Sequence, residues 1–142
     1  MSTAAITPYL FFSGRCEEAI AFYREALGAE VEMLMRFDES PEPPPPGMLQ
    51  DGFERKVMHA SFRVFGAPIM ASDGCDDGSA FDGFRLSITL PTEDAARKAF
   101  DALADGGTVQ MPLSATFWSP CYGMVTDRFN VGWMVTVASP AS

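Results

Sequence analysis

The chain has 142 residues, 47% hydrophobic and 20% charged, which predicts one compact domain or two small halves sharing a core and excludes wholesale disorder. Ten Lys and Arg against nineteen Asp and Glu leave a net charge of −9, a surface that repels phosphate backbones and anionic bilayers, so neither nucleic acid nor membrane is expected as a partner. The three cysteines, Cys16, Cys75 and Cys121, make no C-x-x-C pair and leave an odd thiol, which favours a reducing, cytoplasmic setting.

Ala5 to Phe12 is rich in Ile, Tyr, Leu and Phe and predicts a strand with Pro8 near its start or on an edge. Cys16, Ala19, Ile20, Tyr23, Ala26 and Leu27 then recur at steps of three and four, the stripe of an amphipathic helix, with Gly28 where a left-handed cap is wanted. Val31, Met33 and Met35 alternate with Glu30, Glu32 and Leu34 as a half-buried strand. Asp38 to Gly52 carries Pro41, Pro43, Pro44, Pro45 and Pro46, whose fixed φ and missing donors predict an extended, mobile loop, either a lid or a surface excursion. Lys56 to Val64 and Ala67 to Ser72 predict two strands joined at Phe65 and Gly66.

Asp73 to Gly83 is a Gly- and Asp-rich linker, after which the order of elements repeats. Phe84 to Leu90 predicts a strand, Thr92 an N-cap, and Ala96, Ala99, Phe100 and Leu103 a helix stripe ended by Gly106 and Gly107. Val109, Met111 and Leu113, then Tyr122 to Thr126, then Gly132 to Val137 predict three more strands. Ala21 and Ala99, Phe22 and Phe100, Gly28 and Gly106, Val31 and Val109, and Met33 and Met111 each lie 78 apart. The chain therefore reads as β-α-β-β-β twice over, two sheets that each need a cover for their own face.

Absent motifs narrow the chemistry. A single histidine, His59, rules out H-E-x-x-H and any His pair within one chain. No two of the twelve glycines stand two apart, so G-x-G-x-x-G cannot be written, and the only glycines four apart, Gly74 and Gly78, enclose no serine. No apolar run approaches the roughly 18 residues of a spanning helix. No basic residue precedes the apolar stretch up to Phe12, so a signal or transit peptide is not expected.

The paired β-α-β-β-β units, Pro8-Tyr9-Leu10-Phe11-Phe12 leading to Glu17-Glu18-Ala19 and Phe22-Tyr23, and Leu27-Gly28-Ala29-Glu30 resemble the vicinal oxygen chelate superfamily. That superfamily holds glyoxalase I, extradiol dioxygenases and bleomycin resistance proteins. His59-Ala60-Ser61-Phe62, Ile69-Met70-Ala71-Ser72-Asp73, Thr116-Phe117-Trp118, Tyr122-Gly123, and Thr126-Asp127-Arg128-Phe129 with Trp133-Met134 resemble its PhnB-like branch, which sometimes carries the label of a demethylubiquinone methyltransferase. The Gly-rich loop that usually cradles S-adenosylmethionine is missing from the sequence. The resemblance implies an α+β fold of glyoxalase/bleomycin-resistance type. Its two βαβββ modules, about 1–75 and about 80–142, would set curled mixed sheets around a cup in a single domain over 1–142, usually as a homodimer.

Metal-dependent members of the superfamily bring four His, Gln or Glu side chains onto a divalent ion. By resemblance those positions fall on Pro8, His59, Arg85 or its neighbour Leu86, and Met134, of which only His59 ligates a hard or borderline divalent metal. No metal and no cofactor are therefore expected, with a divalent ion as the lesser alternative. His59 is the candidate catalytic or hydrogen-bonding group in the cup. Arg85 is a candidate for binding a carboxylate or phosphonate, and Trp118, Tyr122, Trp133 and Met134 are candidate ligand-binding walls. Arg128 after Asp127 reads as an exposed pair of opposite charges. The run Asp73, Asp76 and Asp77, with Ser72 and Ser79, lacks the spacing of a calcium loop and reads as a solvated linker. Nine methionines spread over both halves suit an adaptable apolar pocket.

The function expected is binding of a small organic molecule without a standard metal site. The alternatives are a lyase or isomerase, or a dioxygenase, working with a divalent metal or with His59 as base, and a stress-response dimer whose cup is only packed core.

Overall fold

The computed structural model describes residues 4–42, 44–76, 78 and 80–138. Two compact units divide the chain, Met1–Ala80 and Phe81–Ser142. The first holds strand β1 (Tyr9–Phe11), helix α1 (Cys16–Leu27), β2 (Glu30–Arg36), a 3-10 turn over Phe37–Glu39, β3 (Val57–Val64) and β4 (Ala67–Ser72). The second holds β5 (Leu86–Leu90), α2 (Glu93–Ala104), β6 (Thr108–Ser114), β7 (Tyr122–Thr126) and β8 (Gly132–Val137). The strand orders are β1-β4-β3-β2 and β5-β8-β7-β6. In both sheets the first strand is parallel to the last and the other pairs are antiparallel. The predicted β-α-β-β-β repeat is the observed topology, an α+β arrangement.

Each helix covers one face of its own sheet. Tyr23 of α1 is fully buried and stacks on Phe62 of β3, with ring centroids 6.2 Å apart. Ala96, Ala99, Phe100 and Leu103 form the buried stripe of α2. Against it, β7 comes so close that a Cβ on Gly123 would lie 2.9 Å from the Phe100 ring and 2.8 Å from the Met111 carbonyl oxygen, which explains a glycine in the middle of a strand. Alternation then sorts the strands. Leu10, Ala60, Phe62, Val64, Ile69 and Ala71 are buried on the helix side of the first sheet, and Ile88, Leu90, Val125, Trp133, Val135 and Val137 on that of the second. Among the described residues no helix is long and apolar enough to cross a membrane.

The caps follow the sequence. Gly28 takes the left-handed conformation (φ 69°) and its N–H bonds the carbonyl of Arg24, while Thr92 Oγ1 accepts the Ala95 N–H at the start of α2. Phe65 and Gly66 both have positive φ, a two-residue hairpin turn between β3 and β4.

Four expectations need correction. The first strand is shorter than Ala5 to Phe12, because Pro8 has no N–H and only its carbonyl joins β4, through the Met70 N–H. The 78-residue offset slips by one in the helices: the ring facing the sheet is Tyr23 in α1 and Phe100 in α2, whereas Phe22 is only half-buried. The proline-rich segment is pinned at its far end, since Gln50 N–H donates to the Cys75 carbonyl at 2.7 Å and Phe53 is buried with its ring 3.6 Å from the Cβ position of Gly14; Pro43 lies outside the described residues. Most consequential is Asp73, expected in solvent and found 1% exposed. Its Oδ1 accepts the N–H groups of Gly14 (2.8 Å) and Cys16 (2.7 Å), and its Oδ2 that of Val57 (2.8 Å). It therefore supplies the cap that Arg15 does not give α1. Asp77 and Ser79 lie outside the described residues.

Replacing Asp73 by Ala strands three N–H groups, two of them in buried bonds. The expected outcome is a loss of about 3 kcal/mol or more in urea unfolding, with Asp73→Asn losing less. Unchanged stability in Asp73→Ala would contradict this reading.

Candidate functional site

Several residues named from the sequence lie on the faces turned away from the helices. Since Ala60 and Phe62 of β3 point to α1, His59 and Ser61 point the other way. Direct pairing puts Met35 opposite His59, and both Met33 and Met70 opposite Ser61, while Tyr9 of β1 pairs with Met70. The Tyr9 hydroxyl lies 2.9 Å from Nδ1 of His59, and the two rings are 5.6 Å apart. Phe11 stacks beside Tyr9 at 5.0 Å. Burial pushes the Tyr9 phenol above its ordinary pKa, with Ser72 hydrogen bonding opposing in part. The phenol O–H donates to Nδ1 when the imidazole proton sits on Nε2, and the phenol oxygen accepts from Nδ1–H in the other tautomer. Nε2 of His59 then presents a donor in the first tautomer and a lone pair in the second, beside aromatic and thioether groups.

In the second unit Tyr122 and Met134 lie on the corresponding face. Tyr122 of β7 pairs with Thr136, and Met124 pairs with Met134 of β8. Tyr122 occupies the position two before Met124 that His59 occupies two before Ser61, the residue paired with Met70. Trp118 is 50% exposed and meets the Tyr122 ring edge-on at 5.3 Å, with Phe117, 95% exposed, edge-on to Trp118 at 4.7 Å. Ser119 anchors that aromatic turn: its Oγ lies 2.8 and 2.9 Å from the carbonyl oxygens of Cys121 and Val137.

One candidate lies elsewhere. Trp133 is 2% exposed on the helix side, and its Nε1–H donates to Asp127 Oδ2 at 2.8 Å. Arg85 is on the open face, half-buried over Gly132, with its guanidinium donating to the carbonyls of Val125 and Trp133 at 3.2 and 3.4 Å. Asp127 is not part of an exposed charge pair. It is buried, and its Oδ1 takes the Phe129 and Val131 N–H groups, while Arg128 bonds the carbonyl and carboxylate of Asp105.

The side chains do not fit the divalent chelate of the metal-dependent superfamily members. Pro8 offers a carbonyl already bonded to Met70 N–H, Arg85 is a cation, Met134 is a thioether, and His59 meets Tyr9 through one nitrogen. Among the described residues no group of three or more His, Cys, Asp or Glu is placed to hold a metal ion. A polar groove of about 210 Å³ lies at the start of α1, lined by Glu17, Glu18, Arg55, Lys56 and Asp73, away from every candidate named from the sequence.

Comparison with known proteins agrees with this architecture. The family model described as 3-demethylubiquinone-9 3-methyltransferase matches residues 4–136. Protein YjdN of Escherichia coli (strain K12) is 37% identical over 140 residues, covering 93% of this chain and 94% of YjdN. The crystal structure of protein PA1353 from Pseudomonas aeruginosa is 39% identical with a TM-score of 0.83, covering 96% of this chain and 98% of that one. A PhnB protein from Bacillus cereus is 30% identical, with a TM-score of 0.79 over 95% and 100% of the two chains. The fold also recurs, at 15% identity and a TM-score of 0.65, in a glyoxylase/bleomycin resistance protein/dioxygenase domain from Frankia, over 98% and 100% of the two chains. The chain thus has the glyoxalase/bleomycin-resistance fold of the vicinal oxygen chelate superfamily. Within that superfamily it belongs to the PhnB-like family, the one whose model bears the methyltransferase description.

The raised phenol and thiol set an alkaline limit. Burial, then the Asp73 charge, pushes the Cys16 thiol up as well. Both groups hold their protons more tightly folded than unfolded, so stability is intact below their ordinary values near 9 and 10 and falls as pH rises beyond them. Urea unfolding between pH 8 and 11 is expected to show this decline, and Tyr9→Phe to remove the part that begins above pH 10. A decline identical in Tyr9→Phe would exclude the Tyr9 contribution.

Proposed function

We propose that this protein binds a small organic molecule on the helix-free face around Tyr9 and His59, without a divalent metal. The observation that carries the reading is the Tyr9 to His59 hydrogen bond. In this reading the phenol O–H donates to Nδ1 and leaves Nε2–H as a donor toward the ligand, in a setting of Tyr9, Phe11, Met35 and Met70. A few oriented polar groups on an apolar, aromatic surface are how small-molecule sites combine affinity with selectivity. Ligands bearing a carbonyl or carboxylate oxygen beside an apolar body suit that donor.

A second reading, a lyase or isomerase with His59 as base, needs the opposite tautomer, with Nδ1–H donating to Tyr9 and a lone pair on Nε2. Methyl transfer, the activity in the family's description, has no support in the sequence, where no Gly-rich cofactor loop can be written. In the second unit we assign Trp118, Tyr122 and Met134 to ligand contact, and read Trp133 and Arg85 as supports for the ends of β7 and β8. Free thiols at Cys16, Cys75 and Cys121 support a cytoplasmic setting; pairing with a second copy follows from the family resemblance.

A thermal-shift screen of small carboxylates, thiol conjugates and glycopeptide antibiotics, with and without Zn²⁺, Ni²⁺ and Mn²⁺, tests the proposal. A ligand that raises Tm without metal, by an amount at least halved in His59→Ala and Tyr9→Phe, is the expected result. Stabilisation that requires one equivalent of divalent metal and vanishes in His59→Ala would overturn it.

A further inference from the structure

We propose that Met111, Met124 and Met134 form a site for a soft monovalent cation, Cu(I) or Ag(I), on the helix-free face of the second sheet. Met124 of β7 is paired with Met134 of β8 on one side and, on the other, with Met111 of β6, where the register shifts both before and after Met111 and the extra residues sit opposite β7 as bulges. Directly paired residues share a face, with Cβ atoms about 4.5–5.5 Å apart. That face is the open one, because the neighbouring Val125 and Val135 are fully buried on the helix side. Three thioethers therefore stand in one row on three adjacent strands.

The sulfurs are within reach of solvent. Met111 is 37% exposed, and Met124 and Met134 are half-buried. Unbranched side chains with three rotatable bonds let the outer two lean toward the middle one. A neutral thioether is a poor donor for Mg²⁺, Ca²⁺ or Zn²⁺ and a good one for Cu(I) and its analogue Ag(I). The protein's net charge of −9 favours approach of a cation, against the local charge of the Arg85 guanidinium, which stands over Gly132 one row along the same face.

The first sheet supplies an internal control. Its corresponding row runs Met33, Ser61, Met70, Tyr9, so Ser61 separates the two sulfurs by two strand spacings, roughly 9–10 Å. A face that needed only apolar, adaptable side chains would gain nothing from an unbroken line of sulfur, and Leu would serve there as well. Three thioethers on adjacent strands give a soft ion three donors that rotation of the outer two side chains can bring to one point.

The test uses the full chain carrying Cys75→Ser, which removes the partly exposed thiol, labelled with 13C at the methionine methyls. It is titrated with silver nitrate in chloride-free buffer. The ε-methyl signals of Met111, Met124 and Met134 are expected to move together and saturate at one Ag(I) per chain, while those of Met33 and Met70 stay in place. Met124→Leu, a volume-conserving change, is expected to weaken binding at least tenfold, and Met111→Leu, at an exposed position, gives a check free of packing effects. Three results would each overturn the site: no shift at these methyls, equal shifts at the exposed Met48, or affinity unchanged in both Leu variants. The same would follow if the apolar probe 1-anilinonaphthalene-8-sulfonate moved the three signals and Ag(I) did not.

Discussion

One buried carboxylate decides how the first unit is put together. Asp73 follows the last residue of β4, and its two oxygens hold the N-terminus of α1 and the first N–H of β3. Strand, helix and strand are thus tied at a point where each begins or ends. Side chains alternate with period two, so a slip of one residue in β3 would send Phe62 to the open face and His59 under the helix. Tyr23 packed on Phe62 opposes that slip from the core side, and the Asp73 to Val57 bond opposes it from the strand's start. The second unit uses other groups for the same end. Ser119 joins the start of β7 to the end of β8, and Asp127 ties the β7–β8 turn to the indole of Trp133. Polar groups of this kind are costly to bury, yet these are satisfied: no buried side-chain nitrogen or oxygen among the described residues is without a partner.

How much of this was legible depended on whether the signal was local. The helix stripe from Cys16 to Leu27, the Gly28 and Thr92 caps and the strands Ala67–Ser72, Tyr122–Thr126 and Gly132–Val137 rest on neighbours in sequence, and they appear where periodicity and cap chemistry put them. Asp73 misled because a DG pair in a stretch of Asp, Gly and Ser has the composition of a solvated loop, while its three partners lie 16 to 59 residues away. Asp127 misled for the same reason: only the fold reveals that the residue after β7 faces an indole on β8. Trp133 and Met134 are adjacent, and sequence alone could not tell which of the two faces the helix; the burial of Val135 and Val137 decides it. The Tyr9 and His59 contact spans 50 residues and left no local trace.

The repeated topology makes the differences between the halves informative. His59 and Tyr122 stand at corresponding places, as do Ser61 and Met124, on equivalent strands of equivalent sheets. One half pairs an imidazole with a phenol, and the other sets an exposed aromatic edge beside a row of thioethers. The positions that the family resemblance assigns to metal ligands hold, besides His59, a proline, Arg85 occupied with main-chain carbonyls or its neighbour Leu86, and a thioether. The PhnB-like chain keeps the scaffold of its superfamily.

The orientation of the imidazole across the open face is the point on which this account turns, and a single histidine makes it directly observable. The measurement is a long-range 1H–15N spectrum of the His59 ring at a pH where the imidazole is neutral, recorded for the native chain and for Tyr9→Phe. The account predicts a ring fixed with its proton on Nε2 and a hydrogen-bonded acceptor at Nδ1, and a change at Nδ1 when the Tyr9 hydroxyl is removed. A proton on Nδ1, or a spectrum the same in both proteins, would contradict it.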